Sequence, residues 1–279
     1  MRRQSCCIGA LFVGFLSDDF GLVARAAAWD LSPVSAVLFR PLPLLLWAVL
    51  LQAGAGPVVL HFLNVVLHGT NACLSSVVAA EWACPERHRG APRRWRFIAG
   101  LLVLTAPLAP EAVVWCSGVF DVLATTLVLS AVLVSFQYSR ANPSRAIRAA
   151  FIAANLGAVL SKETAAVAPV LVLIVASARN AVSAPLRRDL AIVIGVNAAF
   201  GLARFLASPE VIGPVTKYVL QRAFFSGFGS LAMPYHASVL QQSAWIAIAS
   251  VLIVITLVTL FCVSAGPRRD LRIAIASVL

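Results

Sequence analysis

Charge is scarce in this sequence. Charged residues fill 12% of its 279 positions and hydrophobic ones 61%. A soluble domain of that balance could not cover its own surface. Repeated apolar runs between short charged loops instead predict a multi-spanning helical membrane protein. Lysine is nearly absent, since 20 of the 22 basic residues are arginine. With abundant alanine, that suits a GC-rich bacterial genome. Acids are fewer still, 11 against 22, for a net charge of +11. In a soluble chain the excess would point to nucleic acid. Here the basic residues fall between apolar runs, so they read as a topology signal and no nucleic-acid partner is expected.

Organised motifs are missing too. The six cysteines contain no CxxC pair, and most lie in or beside apolar runs. They read as small hydrophobes, neither a disulfide frame nor a metal site. There is no Walker A loop, GxGxxG after a strand, HExxH, GxSxG, heptad coiled coil or tetratricopeptide pattern. A nucleotide-driven mechanism therefore has no support. The opening MRR and apolar stretch resembles a signal peptide but lacks an A-x-A-like cleavage site. It is read as an uncleaved first span.

What is present is a series of apolar segments. Span one covers about 5–16, short for the roughly 20 residues a bilayer needs. A first outward loop and its interfacial helices follow over 17–56. Within it, 22–29 is expected to lie in the interface, and 41–52 along or partly into the membrane. Span two is 57–80 and span three 97–109, separated by the basic stretch CPERHRGAPRRWR at 84–96. Span four is 119–138. Residues 149–178 give two short runs divided at Ser161-Lys162-Glu163. Span seven is 189–207, a long aromatic loop covers 208–243, and span eight is 244–264. A last apolar run closes the sequence and is expected to begin a ninth span that is cut short. The expected architecture is all-α, one polytopic transmembrane domain over 1–279 with eight or nine membrane segments, some short or re-entrant.

Placing Arg2 and Arg3 in the cytoplasm puts 16 of the 22 basic residues on that side, as the positive-inside rule requires. Seven of the eleven acids then face outward: Asp18, Asp19, Asp30, Glu111, Asp121, Glu163 and Glu210. Segments 17–19, 111–121, 162–163 and the 208–243 loop can thus converge on one outward cavity. Adjacent carboxylates at a membrane edge, Asp18 and Asp19, are costly and mark a functional site by default.

Span two carries His61, Asn64, His68 and Asn71. At about 100° per residue these fall within an arc of roughly 80° on one helix face. Interhelical hydrogen bonding accounts for such a stripe; so does a polar wall beneath the acidic cluster, for His61 and Asn64 above all. A metal shared by His61 and His68 is not expected, since two helical turns, about 10 Å, separate them. Glu111 with Trp115, and Asp121, suit either helix starts or the cavity wall. Lys162-Glu163 is either a self-neutralising pair or a phosphate clamp. Arg222, among the aromatics of the 208–243 loop, suits a lipid phosphate head group or plain interfacial anchoring.

Several stretches in order carry a resemblance: SDDF at 17–20, RPLPLLLW at 40–47, GPVVLHFLNVVLHGTNACL at 56–74, PLAPEAVVWCSGVFDVLATT at 107–126 and LSKETAAVAPVL at 160–171. Together they resemble the membrane part of GT-C glycosyltransferases. The nearest branch holds the transmembrane-and-tetratricopeptide protein O-mannosyltransferases and their bacterial relatives. The resemblance covers roughly residues 10–175. It implies an inverting transfer of a sugar from a polyprenyl-phosphate carrier to a protein or glycolipid acceptor. The reaction would lie on the outer side of a plasma (inner) membrane. It also implies an acid of the first outward loop as base, Asp18 or Asp19, with Asp18 favoured. Arg40, Lys162 or Arg222 would neutralise the leaving lipid phosphate. Some members need a divalent cation, Mg or Mn, and others do not. The chain departs from the branch in lacking tetratricopeptide repeats. The alternative function is a non-enzymatic membrane transporter, or an inactive fragment of such a transferase.

Overall fold

The computed structural model describes residues 14–33, 39–83, 93–106, 109–139, 143–179 and 181–207. The chain divides into two compact units. The first is Met1–Thr105 with Ala109–Ser208, and the second is Ala106–Leu108 with Pro209–Leu279. All described residues except Ala106 belong to the first unit. Expectations for span one, most of the 84–96 stretch, the 208–243 loop with Arg222, span eight and the last apolar run lie outside the described residues.

Every regular element among the described residues is helical. The order is α1 (Asp19–Ala27), α2 (Pro41–Gln52), α3 (Pro57–Ala83), α4 (Arg93–Leu104), α5 (Ala109–Val114), α6 (Val119–Ser135), α7 (Arg145–Ser161), α8 (Ala168–Ala178) and α9 (Ala184–Ala207). Short 3-10 turns occupy Cys116–Gly118, Phe136–Ser139 and Glu163–Val167. Among the described residues, two stretches are long and apolar enough to cross a membrane, Pro57–Trp82 and Cys116–Tyr138. These match spans two and four. Pro41–Gln52 and Glu163–Ala178 are shorter apolar helical stretches. The expected span 97–109 is a twelve-residue helix that starts earlier, in the basic stretch, and stops at Leu104.

Local chemistry sets the boundaries. α2 and α3 both begin on proline, whose missing N–H costs nothing in the first turn. Between them, Gly54 takes φ +83, a conformation that glycine adopts without penalty. Gly54 N–H then reaches Leu51 O at 3.0 Å and Ala55 N–H reaches Leu50 O at 3.0 Å. This pair of hydrogen bonds closes α2 and turns the chain into α3. α7 begins on Ser144, whose Oγ accepts the N–H of Ile147 at 3.3 Å.

α3 packs on both α4 and α6, and α6 packs on α7. Buried side chains gather into two main clusters. Leu44, Trp47, Leu60, Cys116, Val119 and Phe120 fill the one where α2, α3 and α6 begin to meet. Val132, Phe136, Phe151, Val172, Leu186 and Val193 fill the other, where α6 ends and α9 begins. Buried Asp189 of α9 anchors the second end. Its carboxylate accepts from Arg148 Nε at 2.8 Å and from Tyr138 Oη at 2.8 Å.

Candidate active site

Asp19 ties this region together. It sits fully buried in the first turn of α1. Its Oδ2 accepts the backbone N–H of Leu16 at 3.0 Å, and its Oδ1 accepts that of Ser117 at 2.8 Å. One carboxylate therefore joins the first loop to the turn between α5 and α6. Both oxygens are engaged by backbone donors, which is how a buried charge is made tolerable without a cation.

Asp18 lives differently. It is exposed, at the N-cap position of α1, and its side chain makes no capping bond. Ser17, just before it, has φ +44, a strained value for a residue with a Cβ. The strain belongs to the tight turn in which Asp19 N–H reaches back to Leu16 O at 2.8 Å. That turn fixes Asp19 inward and leaves Asp18 outward. The two neighbours thus take separate roles, since Asp19 holds the loop and Asp18 presents the accessible carboxylate.

The turn that meets Asp19 is clamped from α3. Asn64 Nδ2 donates to Trp115 O at 2.7 Å and lies 3.3 Å from Cys116 O. His61 Nε2 lies 3.3 Å from Cys116 Sγ. Both side chains are fully buried. Gly118 lets the turn close onto α5: a Cβ there would stand 1.9 Å from Ala112 O. Further along α3, Asn71 donates to Val122 O at 2.9 Å and accepts from Thr126 Oγ1 at 2.7 Å. Most of the polar stripe of α3 is therefore spent on fastening α3 to the chain around α6. His68 is the exception, turned to α4 with Nε2 3.5 Å from Leu104 O.

Two ion pairs join further segments to the same end. Arg40 forks onto Glu163 through Nε at 3.1 Å and Nη2 at 2.9 Å. Its guanidinium carbon stands 5.4 Å from the centre of the Phe120 ring. Lys162 pairs with Asp121. Lys162 and Glu163 therefore do not neutralise each other. Lys162 is extended, with φ −156 and ψ 137, where α7 ends; successive side chains of extended backbone leave on opposite sides. Each finds its partner on another segment. All four members of these pairs keep partial exposure.

No known protein family, no curated protein and no solved structure matches this chain.

The structure thus brings together Asp18, Asp19, Arg40, His61, Asn64, Trp115, Asp121, Lys162 and Glu163. Trp115 keeps its side chain partly exposed while its carbonyl serves Asn64. Glu111 lies on α5, but its side chain is outside what the structure describes. His68 stands apart, on the α4 side. Three members escape the sequence reading: the Ser117 amide, Cys116 and Phe120. The Ser-Gly pair after Trp115 is a turn signal, but nothing in sequence says that a backbone N–H there meets Asp19.

Among the described residues, no three His, Cys, Asp or Glu side chains lie close enough to share one ion. The two oxygens of Asp19 are already committed to backbone N–H groups, so a divalent cation beside α1 would draw on Asp18.

Proposed function

We propose that the chain is a polytopic membrane protein of eight or nine membrane segments that acts as an inverting glycosyltransferase. The donor is a sugar on a polyprenyl phosphate, and the acceptor is a hydroxyl of a protein or glycolipid outside the plasma membrane. The observation that carries this reading is one exposed carboxylate, Asp18, held beside a locked one. Two partly exposed cation–carboxylate pairs gather at the same end of the helices.

The chemistry follows from these roles. Asp18 accepts the acceptor hydroxyl proton as that oxygen attacks the anomeric carbon from the face opposite the phosphate. The new C–O bond forms while the bond from the anomeric carbon to the phosphate oxygen breaks. The product is an inverted glycoside and a free polyprenyl phosphate. Negative charge grows on the departing phosphate. Arg40 and Lys162, the cations of the two pairs at this end, meet it. Arg40 spends Nε and Nη2 on Glu163 and keeps Nη1 for another oxygen. Carboxylates on both cations hold them in place.

The test uses the full chain in a bilayer with polyprenyl-phosphate sugars of several kinds, scoring transfer or hydrolysis of the sugar. Asp18→Asn is expected to lose at least about 10²-fold in rate, the usual worth of a positioned base. Full activity in Asp18→Asn would sink the assignment.

A further inference from the structure

At the other end of the described helices, arginines crowd around a single acid. Arg148 forks onto buried Asp189, and Arg188 adds to the positive field on the same carboxylate. That leaves Arg145, Arg187 and Arg188 exposed, and none forms an ion pair within the described residues. All three lie in the opening turns of two helices that pack together, α7 and α9. Cations there oppose the positive ends of both helices. The arrangement is unfavourable until an anion arrives.

What lies below the arginines on α9 narrows the anion. Arg188, Ile192 and Val196 follow at four-residue spacing, so they share one face. Ile192 is 41% exposed and Val196 44%. Arg187, Ala191 and Ile194 make an adjacent exposed stripe. From Arg188 to Val196 the helix rises about 12 Å, close to half the roughly 30 Å hydrocarbon core of a bilayer. A small inorganic anion has no use for that apolar strip. A phospholipid uses both parts, with its phosphate on the arginines and its acyl chains along Ile192, Ile194 and Val196.

We propose that Arg145, Arg187 and Arg188 form a seat for one anionic phospholipid, on the face opposite the candidate active site. The seat rests on the membrane placement proposed above and not on sugar transfer, so neither experiment decides the other.

The test is native mass spectrometry of the full chain. It is released from neutral detergent after exposure to equal amounts of phosphatidylglycerol and phosphatidylcholine. The native chain is expected to keep one phosphatidylglycerol in preference. Arginine near an anionic membrane surface contributes about fivefold each, so Arg145→Gln/Arg187→Gln/Arg188→Gln together lose on the order of 100-fold of that preference. If the triple variant does not fold, each single variant carries the test with about a fivefold loss. Arg25→Gln, on the other end, leaves the preference intact. Equal retention of the two lipids, or a preference that survives the substitutions, overturns the seat. So does displacement of the lipid by millimolar inorganic phosphate, which would make it a plain anion site. Apolar masking of α9 by a second copy of the chain would appear as a dimer carrying no lipid, and would also overturn it.

Discussion

Asp18 and Asp19 are neighbours in sequence and should be opposites under mutation. Asp19→Ala removes the acceptor of two backbone N–H groups, at 2.8 Å and 3.0 Å. The Ser117 amide lies in the buried turn, so its loss costs the full desolvation penalty of about 1–3 kcal/mol. The Leu16 amide is only partly buried, and water recovers some of its bond. Together the two come to about 2–4 kcal/mol. For a helical unit of this size each kcal/mol lowers Tm by about 2–4 °C, so a fall of roughly 5–15 °C is expected. Asp19→Asn keeps one acceptor but turns an NH2 toward an N–H, and should fall about half as far. Asp18→Asn removes an exposed carboxylate without a capping bond and should stay within about 0.5 kcal/mol. Thermal unfolding in detergent, followed by circular dichroism in the far ultraviolet, reads all three. Activity is read on the same preparations. A larger loss of stability at Asp18 than at Asp19 would refute the division of roles.

Other expectations follow from single contacts. Gly118→Ala puts a methyl group into Ala112 O; it should cost about 2–4 kcal/mol by overpacking a backbone contact that cannot yield, seen as a lower Tm and lower yield. Asn64→Ala frees the Trp115 and Cys116 carbonyls and should cost about 1–2 kcal/mol, while His68→Ala should cost under about 1 kcal/mol, and comparing the two melting curves checks the unequal use of one polar stripe. A double-mutant cycle of Arg40→Gln with Glu163→Gln should give a coupling of about 1 kcal/mol, since the fork is bidentate but partly exposed; zero coupling would dissolve the tie between α2 and the segment after α7. The Ser32 hydroxyl and amide, with Arg25 beside them, hold Asp30 below the ordinary carboxylate value of 3.8. A lowered folded-state pKa gives stability that is complete above the ordinary value and lost as pH falls through the lower folded one. An NMR titration of Ser32→Ala should therefore show the Asp30 midpoint moving up.

Much of the helical layout was legible in sequence because it rests on apolar periodicity and proline. The helices at 41–52, 57–80 and 119–138 lie within a few residues of their expected bounds. Of the four segments expected to converge on one outward cavity, 17–19 meets 111–121 through Asp19 and Ser117, and 111–121 meets 162–163 through Asp121 and Lys162; the 208–243 loop lies outside the described residues. Pairings were not. Lys162-Glu163 reads equally as a self-neutralising pair or a phosphate clamp until the extended backbone at Lys162 is known. The choice between Asp18 and Asp19 depends on a strained φ at Ser17, which no composition reveals. The stripe His61, Asn64, His68 and Asn71 was visible, but whether each side chain meets substrate, a backbone carbonyl or another helix depends on the helix rotation.

The ties from Asn64 and Asn71 across to the 115–126 segment also bear on how this chain is made. Of the two membrane-length stretches among the described residues, α3 comes first in the chain, and it carries two histidines and two asparagines. The second stretch, Cys116–Tyr138, with Trp115 just before it, holds the carbonyls and the hydroxyl that Asn64 and Asn71 need. In a lipid setting, α3 alone would present unsatisfied amides to hydrocarbon. For the membrane placement proposed above, stable insertion of α3 would wait until the second stretch has been synthesised, so that the two helices enter as a pair. Thr126→Ala, which removes the hydroxyl that donates to Asn71, would then act as an assembly defect of a helix made earlier, with its first symptom in the amount of protein in the membrane.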